Sequence, residues 1–143
     1  MSDERIRPFR FSVQAFEAGS GRQWTDLARR AGQRGQLDQG RHRGEDGWVR
    51  EGAGDRSGDI ELEIAAYFIA ISEDPADAVA AMARRFGISP EVLSEHPHAL
   101  IGSVSQICDA LEQRRSELGI SYVNVAQRSM ELFAPVVDRL AGR

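Results

Sequence analysis

The segment Gly119-Ile120-Ser121-Tyr122-Val123-Asn124-Val125-Ala126-Gln127 is β-branched and aromatic, and it stands between two helical patterns. Before it, Ser103-Val104-Ser105-Gln106 has the form of a capping box, with a serine oxygen for one orphan amide and a glutamine reaching back for another. Val104, Ile107, Cys108, Leu111 and Leu118 then recur at helical spacing up to Gly119, a residue suited to ending a helix. After it, Met130, Phe133, Ala134, Val137, Leu140 and Ala141 mark a second helix. Pro135 is compatible with that helix if the helix starts near Glu131, which leaves the missing amide in or next to the first turn. An apolar strand between two helices is normally parallel and buried on both faces. This strand is therefore expected at the centre of an α/β fold.

The rest of the chain supplies its neighbours. Phe9-Arg10-Phe11-Ser12-Val13-Gln14 alternates apolar and polar after Pro8, as a first strand does. Ser20-Gly21-Arg22-Gln23 is another capping box, and Trp24, Leu27, Ala28 and Ala31 continue at helical spacing. From 33 to 58 the composition shifts to Gly and Arg, which predicts a flexible linker or a deletion junction, with Trp48-Val49-Arg50-Glu51 as a helix tail stopped by Gly52 and Gly54. Ile60–Ser72 is the longest strand candidate, alternating at first and then apolar on both faces. Asp74-Pro75-Ala76-Asp77 opens a helix with an N-cap, a proline at the first helical position and a carboxylate for the dipole. Val79, Met82, Ala83 and Phe86 form its apolar stripe, and Gly87 ends it. A short helical piece follows from Ser89-Pro90-Glu91, and His98–Gly102 is a connector. The expected organisation is a first β/α unit over 1–32, the linker over 33–58, and further β/α units over 59–143, together one structural domain.

At 143 residues the chain is long enough for one hydrophobic core. A net charge of −4 gives no reason to expect nucleic acid or an anionic membrane as partner. All 18 basic residues are arginine, a bias that base composition explains. The single cysteine excludes an intrachain disulfide. No apolar run approaches the ~20 residues of a membrane span, and Met1–Pro8 is charged, so a cytoplasmic protein is expected.

Catalytic motifs are absent: there is no Ser/His/Asp set, Walker loop or G-x-G-x-x-G. Cys108 lies within an apolar stripe and reads as a packed thiol. His42, His96 and His98 make no metal pattern. Glu61 and Glu63 share one strand face, which suits either an acid–base pair or a solvated rim, and the rim fits better. The Gly/Arg stretch lacks interleaved aromatics on which bases would stack. What remains is position. In parallel α/β folds ligands bind at the carboxyl ends of strands. That points to Gln14, Asn124 and Gln127, to the region just after Ile71, and to the amides of Gly102 and Ser103 at a helix N-terminus, where an anion could sit.

Three stretches carry a resemblance. Arg7–Ala15 with Trp24–Ala31, then Trp48–Glu51 with Ala53–Arg56 and Ile60–Ile64, and finally His98–Ser103 with Ile107–Leu111 and Gly119–Val123 resemble parts of luciferase-like monooxygenases. More narrowly, the first resembles the branch assigned to the deazaflavin F420. The likeness spans about 1–32 and 48–143. It implies an F420- or FMN-dependent oxidoreductase or monooxygenase acting on a small molecule, with the cofactor supplying the reactivity. It also implies a TIM-barrel ancestry, but a TIM barrel takes about 250 residues. Where the family continues into its second strand, this chain has Gly32-Gln33-Arg34-Gly35-Gln36-Leu37, and the counterparts of strands two to six are missing. The expected remainder is a partial barrel, a three-stranded parallel sheet in the order one–eight–seven covered by helices. Its unpaired edges would favour a homo-oligomer. The alternative to an enzyme is a truncated, non-catalytic remnant that self-associates or binds a partner.

Overall fold

The computed structural model describes residues 6–14 and 48–143. The strands are β1 (Arg10–Gln14), β2 (Leu62–Ala66), β3 (Phe68–Ile71), β4 (Ala99–Gly102) and β5 (Ile120–Ala126). The helices are α1 (Pro75–Phe86), α2 (Pro90–Ser94), α3 (Val104–Leu118) and α4 (Met130–Leu140). The expected helix over 20–31 and most of the linker lie outside the described residues. Of that linker, 48–53 is helical and passes into a 3₁₀ turn at Gly54–Asp59.

The local signals act as their chemistry requires. Ser103 Oγ accepts from the Gln106 amide at 3.2 Å, and Gln106 Oε1 accepts from the Ser103 amide at 2.8 Å. Asp74 caps α1 by accepting from the Asp77 amide at 3.1 Å, with Pro75 in the first turn. Gly119 closes α3 at φ 73°, where a side chain is strained. A Cβ there would also stand 3.1 Å from an Arg50 nitrogen.

Two parallel sheets result. The first has the order β1-β5-β2, so the first and last strands are neighbours. Its register pairs Phe11 and Ile64 with Val123, and Ser12 and Ala65 with Asn124. β3 and β4 form the second sheet. Val123 is fully buried, and around it pack Ile64, Phe9, Val125, Ile107, Leu111, Phe133, Val136 and Leu140. A second cluster gathers Phe68, Ala83, Ile88, Leu93 and Ala99. The β3–β4 ribbon lies between the two. Its Ile69 and Leu100 pair belongs to the first cluster, and its Phe68 and Ala99 pair to the second. This explains why 65–71 is apolar on both faces.

Three expectations change. Ile60–Ser72 is two strands rather than one, because at Tyr67 the chain changes partner. The amides of Tyr67 and Phe68 both donate to the His98 carbonyl, at 3.0 and 3.2 Å, which hands the chain from β5 to β4. The expected connector at 98–102 is accordingly the strand β4, too short to show a period. In α4, Pro135 lies beyond the first turn, since the helix starts at Met130. Phe133, Val136 and Leu140 are its buried residues, while Met130 and Ala134 are exposed.

The two ends of the chain are clasped together. Phe9 donates its amide to the Arg143 carbonyl and accepts from the Gly142 amide, both at 3.0 Å. Arg115 covers the Phe9 ring at 4.0 Å and donates to the Arg143 carbonyl at 2.7 Å. This holds β1 beside β5 through contacts far apart in sequence.

Two substitutions test this packing by urea denaturation. Phe133→Ala is expected to cost about 3–5 kcal/mol, the range for a fully buried aromatic. Val13→Ala, at a side chain 44% exposed, is expected to stay within about 0.5 kcal/mol.

Candidate functional site

The sheet β1-β5-β2 has two unlike faces. Phe11, Ile64, Val123, Val125 and Ala66 contribute to the helix-covered core. Alternation along the strands places Arg10, Ser12, Glu63, Ala65, Tyr122 and Asn124 on the opposite face, in register across all three strands. The face is polar and already interlocked. Arg10 Nη1 meets Glu61 Oε2 at 2.8 Å, and its guanidinium stands 5.3 Å from the Tyr122 ring centroid. Asn124 Nδ2 donates to Glu63 Oε1 at 2.9 Å. Ser121, buried at the irregularity between Leu62 and Glu63, donates weakly to Glu61 at 3.5 Å.

Each of these groups faces a different balance. Arg10 is 63% exposed on its side chain, so its ion pair is largely screened and contributes at most ~1 kcal/mol. Asn124 is buried to 8% exposure, and its Oδ1 has no hydrogen-bond partner. A buried amide oxygen left unpaired costs about 1–3 kcal/mol, and a ligand N–H could satisfy it. One cation and two carboxylates leave the face acidic, better matched to donors than to phosphate.

The sequence-predicted residues separate. Asn124 is central to this face. Gln14 pairs with Ala126 at the carboxyl end of β1, and Gln127 is exposed just beyond β5. Gly102 and Ser103 belong to the other sheet and the helix after it. The Ser103 amide, expected to be open to an anion, is taken by the Gln106 side chain, and a Cβ on Gly102 would lie 2.9 Å from the same Oε1. The cap that made this helix start legible thus occupies the position assigned to a ligand. Sequence reasoning treated Glu61 and Glu63 as a rim and missed their partners, Arg10 and Asn124. Facing positions on neighbouring parallel strands were the available signal.

His96 and His98 act as a tether. His98 Nδ1 donates to the Ala65 carbonyl at 2.7 Å, and the His98 amide donates to His96 Nδ1 at 3.2 Å. His98 also lies against Tyr67, and His96 edge-on to Phe68. Among the described residues no cluster of three or more His, Cys, Asp or Glu could hold a metal ion. Cys108 is buried, and desolvation raises its thiol above the usual range against the opposing pull of Arg139. No helix among the described residues is long and apolar enough to cross a membrane.

No protein family, curated protein or solved structure matches the chain.

Three outcomes follow from this geometry. A double-mutant cycle on Glu63→Ala and Asn124→Ala should give a coupling of about 0.5–1.5 kcal/mol in denaturation. Because the Cys108 thiol is raised on folding, the folded state keeps its proton longer than the unfolded one. Stability from this group is therefore full below the unfolded thiol pKa and falls as pH rises toward the folded value. Cys108→Ala should flatten the alkaline side of a stability–pH curve, and a thiol reagent should modify Cys108 only on unfolding.

Proposed function

We propose that this chain is a partial luciferase-like barrel module that binds a partner or a second copy of itself and does not catalyse turnover alone. Two things support the barrel part: the sequence resemblance, and the neighbouring of first and last strands in the order β1-β5-β2. That is the arrangement strands one, eight and seven have around a barrel. The observation that carries the absence of self-sufficient chemistry is the polar sheet face. Its charged and amide groups engage each other, Arg10 with Glu61 and Asn124 with Glu63. A barrel active site draws catalytic residues from the ends of several strands, and a chain of this length supplies few of them. Among the described residues no strand pairs with the outer edge of β1, which offers backbone groups to a partner, whereas on β2 the Ala65 carbonyl is already held by His98.

A second reading keeps the family chemistry. The chain is then an F420- or FMN-dependent oxidoreductase of small molecules, with Gln14, Asn124 and Gln127 as contacts toward the ring and Gly102–Ser103 toward a phosphate. The unpartnered Asn124 Oδ1 favours it, since a flavin or deazaflavin ring carries an N–H that could donate there. The cofactor, when bound, would supply hydride transfer or oxygen activation.

A titration with F420 and with FMN, followed by cofactor fluorescence, separates the two. The module reading expects no saturable binding at micromolar cofactor and concentration-dependent assembly in analytical ultracentrifugation. Saturable micromolar binding, lost in Asn124→Leu, would overturn it in favour of the oxidoreductase.

A further inference from the structure

A cleft of about 350 Å³ lies on the helix side of the fold, away from the polar sheet face, between α3, β4 and the start of α1. Ala110, Arg114 and Leu118, four residues apart on α3, form one wall, and Val79, Leu93 and Ile101 face it. The volume is at the lower end of the ~300–1,000 Å³ typical of small-molecule sites. Arg114 is the chemically notable member. Its Nη2 donates to the Ala99 carbonyl at 3.0 Å, while its Nη1 is buried and has no hydrogen-bond partner. A guanidinium nitrogen removed from water and left unpaired is costly, and the burial that lowers the Arg114 pKa reflects the same desolvation. The other charged residue lining the cleft, Glu117, accepts from Gln113 Nε2 at 2.8 Å.

We propose that this cleft binds a small aliphatic monocarboxylate, its carboxylate on Arg114 Nη1 and its tail along Val79, Ile101 and Leu118. A carboxylate gives the missing charge-assisted hydrogen bond. The apolar side of the cleft, formed by Val79, Ile101 and Leu118, suits a short hydrocarbon chain, and the Glu117 carboxylate among the polar lining residues disfavours a phosphate dianion more than a single carboxylate. One nitrogen already serves β4, so the carboxylate is held from one side of the guanidinium. The same bond to Ala99 links a bound ligand to the strand that separates the two cores.

Hexanoate is the probe, with hexanol as its neutral counterpart, read by amide chemical shifts of the full chain. Hexanoate should give saturable shifts at Ile101, Ala110 and Arg114, with an affinity at least tenfold above that of hexanol. Arg114→Gln should lose tenfold or more, and Arg114→Lys should recover part of it. Ala110→Leu, which narrows the cleft but leaves Arg114 in place, should abolish binding with the circular-dichroism melt unchanged. The proposal is overturned if millimolar hexanoate gives no saturable shifts, or if the shifts fall on the polar sheet face. Equal binding of hexanol, or undiminished binding by a folded Arg114→Gln or Ala110→Leu, overturns it as well.

Discussion

Everything in this fold depends on β5 being paired on both sides at once. With β1 on one edge and β2 on the other, its backbone groups find partners across two ladders. A central parallel strand can therefore be buried without leaving unpaired amides, which is the condition for placing Val123 at zero exposure. Burying that side chain contributes about 1.5–3 kcal/mol, and the same geometry brings Phe9 and Phe11 from one end of the sequence under α4 from the other. The clasp between Phe9 and the last residues, covered by Arg115, secures β1 where its short ladder alone would be weak.

Pairing on both sides also decides where chemistry can be. A parallel sheet with helices on one face has one face left for polar residues, and here those residues engage each other in pairs, one an ion pair and one a hydrogen bond. The Asn124–Glu63 contact joins β5 to β2, and the Arg10–Glu61 pair reaches across from β1 to the residue before β2. The side chains available for binding on that face are therefore also the ones that tie its strands together. The Arg114 cleft differs in kind: it holds a buried guanidinium nitrogen with no hydrogen-bond partner, in a wall of mixed apolar and polar side chains.

Legibility followed the range of the interactions. Features written within four residues were readable: the Ser103–Gln106 box, the Asp74-Pro75 start of α1, the glycine stops at Gly87 and Gly119. So was β5, because a β-branched run between two capped helices has few other readings. The order β1-β5-β2 agrees with the expected neighbourhood, which rested on a family resemblance and not on the residues alone. What escaped was set at long range. The break at Tyr67 comes from the His98 carbonyl, about thirty residues away, and β4 is four residues long. The site was half legible. Asn124 could be named from its place on β5, but its bond to Glu63 needed the register. Gly102 and Ser103 were chosen as an anion cradle because a helix starts there, and the glutamine of the same capping box fills it. Arg114 carried no signal at all, being one of two adjacent arginines on its helix.

The most direct test of the account is hydrogen exchange in the native state, because it reads backbone pairing strand by strand. If β5 is the doubly paired centre, amides of Ile120–Ala126 exchange only through global unfolding, and β1 amides are protected in the same cooperative unit. Rapid exchange in β5, or an unprotected β1 beside a protected β5, would contradict it.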